Sequence, residues 1–363
     1  MDEKPPPHPG DHKSTEPALS PLGTPAEPPV SWHDAGSIHL GPEMAVAEGD
    51  VRSTEDGEFV RGTSLWKDAW RRLLKNKLAV FGLVVVIIVT LAAITGPTVI
   101  KLTLGFTPDY IPSNQPGLTK SFPPFTGPDG KFSWTHPMGT DNAGRDQLAR
   151  VLQGGQISLF VGIIATLVSL IIGVSYGAVA GYFGGRVDNL MMRFVDVLYS
   201  LPYVIVVIVL LSMFRSQTPR GQLALLFISL GSVSWLTMAR IVRGQVLSLK
   251  NQEFVLAARA TGVSTLRIIF RHLVPNTLGP VIVYATLTIP QIMLTEAFLS
   301  FLGFGVQAPL ASWGSLASDG VQNIAIYPWQ LIFPGVTMAL TLFSLNFLGD
   351  GLRDALDPQM RTT

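Results

Sequence analysis

The sequence contains no cysteine and little charge: of its 363 residues only 14% are Asp, Glu, Lys or Arg. Without cysteine there is no disulfide framework, no thiolate metal site and no thiol nucleophile. Histidine is scarce where it would matter. His8, His12, His33 and His39 cluster near the N-terminus, and His136 and His272 stand far apart in the body, so no histidine metal centre is expected. No Gly-x4-Gly-Lys-Ser/Thr run is present, so the chain itself is not expected to bind ATP at a P-loop. His-Glu-x-x-His and Gly-x-Ser-x-Gly are missing too, and the Ser-x-x-Lys spacing of Ser64–Lys67 has none of the companion motifs that would make it catalytic. What is abundant is apolar. Hydrophobic residues make up 47% of the chain, and soluble domains carry nearer a quarter charged residues, so the composition points to a membrane protein.

The net charge of +1 conceals two regions. Residues 1–62 hold 4 Lys/Arg and 12 Asp/Glu, about −8, and the remainder holds 22 and 13, about +9. Ten of the 27 prolines also fall in the first 62 residues, with few large apolar side chains. Such a segment buries too little surface to offset its ordering entropy, so it reads as a disordered acidic tail. It has no basic stretch leading into an apolar run, so it does not read as a signal peptide. Residues 63–77 then form a basic amphipathic elbow: Trp66, Trp70, Leu73 and Leu74 share one helical face, with Lys67, Arg71, Arg72 and Lys75 around the rest.

Six apolar spans follow, at about 78–100, 157–183, 195–214, 223–239, 277–302 and 330–349, each near the ~20 residues that a bilayer core requires. The expected fold is therefore an all-α polytopic bundle over 78–350, with a cytoplasmic tail at 351–363. The stretches 62–77, 184–194, 240–276 and 350–363 are richer in Lys and Arg than the opposite loops 101–156, 215–222 and 303–329. The positive-inside rule then puts both termini in the cytoplasm. Gly173, Gly177, Gly181 and Gly185, spaced four apart, read as a ridge for close helix packing, and Pro290 as a kink in the fifth span.

The cytoplasmic loop 240–276 is the most informative stretch. Asn251 reads as an N-cap, Glu253 as a first-turn acid favoured by the helix dipole, and Gly262 as a left-handed terminator. These bound a free-standing helix of about ten residues, near 15 Å long. Ala257, Ala258 and Ala260 keep it slim enough to enter a groove of another protein. A second helix, 264–275, carries Leu266, Ile269, Phe270 and Leu273 on one face and ends at Pro275.

The order Glu253, Ala257-Ala258, Gly262, then His272-Leu273-x-Pro275-Asn276 resembles the EAA loop of ATP-binding-cassette importer permeases. Three further motifs are similar to the C-type subunit of the dipeptide, oligopeptide and nickel importers. They are Gly139-Thr-Asp141-Asn-Ala-Gly144-Arg145-Asp146, Ser300–Gly305 with Ser312-Trp313-Gly314, and Asn346–Pro358. The resemblance covers about 64–361. It implies a type I importer permease fold of six transmembrane helices in the bacterial inner membrane. Glu253, Phe254, Ala257, Ala258, Arg259 and Gly262 would dock on an ATPase, with His272, Pro275 and Asn276 supporting the loop. It also implies a homologous B-type permease, two ATPase subunits carrying ATP and Mg, and an extracytoplasmic solute-binding protein. No cofactor on this chain and no nucleic acid are implied. The acidic tail and the stretch Pro108–Trp134 depart from the family pattern.

Two readings stand for the remaining polar residues. Asp141, Arg145 and Asp146 form either an Asx turn with a local ion pair or a contact for the solute-binding protein. Glu296, late in the fifth span, is either a functional intramembrane acid or a residue facing the partner permease. The leading function is half of a translocation pore for di- and oligopeptides, driven by partner ATPases. A nickel or other small-solute importer of the same family is the alternative. A gradient-driven carrier would need central intramembrane carboxylates or broken helices, and Glu296 is the one acid available.

Overall fold

The computed structural model describes residues 65–356 except 106, 112–120 and 128. The acidic tail of residues 1–62 lies outside the described residues, as do 357–363 and part of the Pro108–Trp134 stretch.

Helix α1 (Leu65–Lys75) ends at Asn76, whose side chain caps α2 (Lys77–Leu104) by accepting from the Leu78 and Ala79 amides at 3.1 and 3.2 Å. Ala69 and Leu73 of α1 are buried against Ala79 and Ala355, while Trp70 and Leu74 stay half exposed. The elbow is thus anchored by a narrower stripe than its tryptophan pattern predicts, and Trp70 and Leu74 remain available to lipid. Helix α2 exposes Phe81, Val84, Ile88 and Leu91 along one face. An apolar face left open over this length belongs against hydrocarbon.

Helices α3 (Gln147–Phe183) and α6 (Pro219–Leu249) form the centre of the bundle. The glycine ridge explains their closeness. A Cβ on Gly177 would overlap the Ala239 carbonyl, and one on Gly173 or Gly181 would lie 2.9 Å from the carbonyl of Trp235 or Arg243. Gly185 is not part of the ridge. It follows the chain reversal after α3, with φ +54°, and no heavy atom stands within 4 Å of where its Cβ would be.

Among the described residues, five helices are long and apolar enough to cross a membrane: α2, α3, α6, α10 (Leu278–Phe301) and α12 (Trp329–Leu356). The expected third span, 195–214, is not one helix. It is divided between α4 (Gly185–Tyr199) and α5 (Tyr203–Met213), bent by 82°. Pro202 lacks an N–H to continue the ladder, and α4 is amphipathic rather than apolar, with Arg186, Asp188, Arg193 and Asp196 along it.

Other boundaries shift for the same reason, because polar residues continue helices that apolar runs begin. Helix α3 starts ten residues before the expected 157. Helix α6 runs ten beyond the expected 239, since Arg240 and Arg243 find Asp196 and Asp188 on α4. Pro290 is buried within a continuous α10. Between α6 and α10 lie α7 (Glu253–Ala260), α8 (Thr265–Arg267), a π-helical segment (Ile268–Leu273) and α9 (Val274–Asn276). Before α12 comes α11 (Trp313–Gln322), packed inward by the fully buried Trp313. The indole donates to the Val151 carbonyl at 2.8 Å.

Candidate functional site

Helix α7 is built differently from its sequence-based outline. Its N-cap is Gln252, not Asn251, and no side chain completes the cap. The helix is eight residues, about 12 Å, rather than ten. Its C-terminus is sharply defined. Gly262 adopts φ +77°, the Val263 amide donates to the Ala258 carbonyl at 3.1 Å, and the Gly262 amide to the Arg259 carbonyl at 3.0 Å. That pair of bonds is the Schellman arrangement, and its left-handed residue is best served by glycine.

The two faces of α7 differ in kind. Val255 and Ala258 are buried against Val246, Ile268, Ile269 and Leu273. Glu253, Phe254, Leu256, Ala257 and Arg259 point away from that core and are exposed. Ala258, expected on the docking face, therefore belongs to the anchor: i and i+3 on so short a helix share one side, and Val255 has already committed that side to the core. Sequence reasoning also missed Val255 itself; an apolar pair at i, i+3 inside a polar loop was the available signal. The Arg259 guanidinium lies 5.1 Å from the Tyr182 ring centre, tying α7 to the end of α3.

The π-helical segment links α7 to the membrane span. The Val274 amide bonds to Ile269, five residues back, and Thr277 returns to four-residue spacing on Leu273. Pro275 supplies the cause: in a regular helix its ring would meet the Arg271 carbonyl and its absent N–H would leave that carbonyl unbonded. The expected end of the second helix at Pro275 is instead a change of register, after which the chain turns into α10. Asn276 donates its side-chain amide to the His272 carbonyl at 2.6 Å, bracing the turn. Beneath the loop, Arg243 holds buried Asp188 bidentately at 2.5 and 2.6 Å, and Lys250 donates to the Gly181 carbonyl at 3.0 Å.

At the opposite end of α3 the Gly139–Asp146 motif closes on itself. Asp141 accepts from the Ala143 and Arg145 amides at 2.9 Å, from Arg145 Nε at 2.7 Å, and from Arg150 Nη1. Asp146 caps α3 through the Ala149 amide at 2.7 Å, and its other oxygen meets His136 Nδ1 at 2.8 Å. Gly139 and Gly144 make the turns, with φ +74° and +78°. Gln330 of α12 joins the cluster by donating to the Thr140 carbonyl at 3.2 Å. Asp319 on α11 faces a cavity of about 180 Å³ beside Arg145 and Arg150. Burial pushes its carboxyl above the ordinary value, and the two arginines pull it the other way.

Glu296 is 1% exposed within this chain. Its Oε1 accepts from Ser300 and Ser312, each at 2.7 Å, and Ser312 caps α11 through the Ser315 amide. The carboxylate thereby fixes the start of α11 to α10 and is covered by its own subunit. Among the described residues no group of three His, Asp or Glu is placed to hold a metal ion.

Residues 173–362 match the family model of the binding-protein-dependent transport system inner membrane component, and residues 64–117 match the N-terminal TM domain of oligopeptide transport permease C. The chain is 46% identical over 302 residues to the oligopeptide transport system permease protein OppC of Escherichia coli K12, covering 83% of this chain and 94% of that one. It is 44% identical to OppC of Bacillus subtilis over 301 residues, 83% of this chain and 92% of that one. To the dipeptide transport system permease protein DppC of the same organism it is 46% identical over 299 residues, 82% and 87% of the two chains. Among solved structures, a chain of the inward-facing MetNI methionine ABC transporter superposes with TM-score 0.45 at 17% identity, over 57% of this chain and 96% of that one.

Proposed function

The chain belongs to the binding-protein-dependent inner-membrane permeases, in the branch of the oligopeptide and dipeptide C subunits, and from that premise we propose that it forms half of a peptide-conducting pore opened by separate ATPases. The observation that carries the reading is α7, anchored by Val255 and Ala258 and exposing Glu253, Phe254, Leu256, Ala257 and Arg259 beside it. A short capped helix with one face committed to the membrane domain and the other open is suited to a groove of another protein. On this reading ATP and Mg are held by two ATPase subunits, a homologous permease supplies the second half of the pore, and an extracytoplasmic protein delivers the peptide. The end bearing α1, α7 and the close of α12 is cytoplasmic, as its arginines and lysines favour. The cluster around Asp141 then lies on the outer side, where Arg145 is a contact for the delivering protein. The relatives named above are oligopeptide and dipeptide permeases, and no observation favours the nickel alternative.

The test is co-purification from gently solubilised membranes. The native chain should bring its ATPases with it. Glu253→Arg reverses the charge at the exposed start of α7 and should lower their yield about tenfold or more, as for the loss of an interface hot spot. A native chain that emerges with no ATPase overturns the proposal.

A further inference from the structure

The break between α4 and α5 has a consequence for the solute path. Helix α5 has 11 residues, about 16 Å, and cannot cross a ~30 Å hydrocarbon core alone. The backbone is irregular at Leu201 and Pro202, and irregular backbone at membrane depth is tolerated only inside protein or against water. A cavity of about 360 Å³ lies at this break, lined by Tyr199, Leu201 and Tyr203 from its two sides and by parts of α6 and α10.

The α10 contribution is patterned. Tyr284, Thr288, Gln291 and Thr295 fall at i, i+4, i+7 and i+11 and all line the cavity, a polar stripe about 16 Å long. Thr288 and Thr295 donate their hydroxyl hydrogens to carbonyls of their own helix, at 2.8 and 2.9 Å, which leaves oxygen lone pairs as acceptors. Gln291 is exposed and its amide makes no hydrogen bond among the described residues. A carboxamide in that state is costly against lipid. Across the cavity the Tyr203 hydroxyl lies 3.2 Å from Ser234 Oγ. Among the described residues no charged side chain lines the space.

We infer that the α10 stripe, with Tyr203 and Ser234, is this subunit's wall of the solute path, and that it reads the amide backbone of a peptide through uncharged hydrogen-bonding groups. A neutral lining of hydroxyl, phenol and carboxamide groups matches N–H and C=O groups present in every peptide. With no fixed charge, it favours neither acidic nor basic side chains. The inference depends on the importer reading above.

The absence of cysteine makes the test direct. Gln291→Cys and Thr295→Cys are each placed in the full chain of the assembled transporter. Each is treated with a small hydrophilic methanethiosulfonate, with and without trialanine under import conditions. Stripe cysteines should label about tenfold faster than Leu294→Cys on the neighbouring face, because a thiol ionises and reacts in water rather than in lipid. Trialanine import should slow them. Stripe cysteines as slow as Leu294→Cys, in a transporter that still imports trialanine, would place a partner helix or lipid against the stripe and overturn the inference. Fast labelling that import leaves unchanged overturns it as well. A transporter that imports no peptide of any length defeats the proposed function instead. A second measurement reads recognition itself. Gln291→Glu should raise the uptake of Ala-Lys-Ala relative to Ala-Glu-Ala at least about threefold over the native ratio, by Coulomb attraction in a confined space. An unchanged ratio in a variant that still transports counts against it.

Discussion

At the arginine-rich end the segment from Glu253 to Leu273 is held by Val255, Ala258, Ile268, Ile269 and Leu273, packed on α6 and on Val281 of α10. At the opposite end Asp141, Asp146, His136, Arg145 and Arg150 are held by buried ion pairs and charge-assisted hydrogen bonds. Apolar packing is non-directional and its energy falls gradually as surfaces slide. Buried charges are directional, and a lost partner leaves an uncompensated ion. On the proposed function, the first arrangement suits an element that moves with a docked partner, and the second suits one that keeps a fixed outline for a partner to find.

The difference can be broken by substitution. Asp141→Ala strips Arg150 of its hydrogen-bonded carboxylate and should cost about 3–5 kcal/mol, read as a large fall in the detergent unfolding midpoint. Val255→Ala at the other end removes only packing and should cost about 2 kcal/mol. If Val255→Ala proves the more damaging to stability, the contrast between the ends is wrong. Asp196→Ala loses the Arg240 pair, 2.7 Å but largely exposed, and should shift stability by at most about 1 kcal/mol, less in high salt. The smallest effect is a pH dependence. The raised carboxyl of Asp319 means that the folded state binds its proton more tightly than the unfolded chain. Its contribution is greatest below the ordinary value of 3.8, declines as pH rises through it, and levels off above the raised value. Asp319→Asn should flatten that part of the stability profile. An unchanged profile would mean that the carboxyl is effectively solvated.

Apolar runs made five of the six spans legible to within a few residues at one end or both. What they concealed was polar helix. Gln147–Gln156 begins α3 with Arg150, Gln153 and Gln156, which a hydrophobic run excludes, yet Gln156 donates to the Ala93 carbonyl at 2.8 Å and Arg150 is buried with Asp141. Arg240 and Arg243 likewise read as loop because their partners on α4 lie some fifty residues earlier in the chain. The break at Pro202 was hidden for the opposite reason: hydropathy continues through it while the backbone does not. In the loop 240–276, residue order alone located α7 and its glycine stop. It did not say which face turned inward, because that depends on Ile268, Ile269 and Leu273 arriving from the next segment.

The glycine ridge makes α3 and α6 a single beam. Their backbones meet at Gly173, Gly177 and Gly181, and again where Gly231 lies against Val168, so neither helix can slide far without carrying the other. Helix α3 has 37 residues, about 55 Å, with Tyr182 beneath Arg259 at one tip and Asp146 at the other. A tilt of about 5° around its middle moves each tip by about 2 Å, a displacement of the size that helix shifts commonly produce. On the proposed function, a movement imposed at the α7 end would be felt at the other end as a change of position, with every residue along the beam keeping its neighbours.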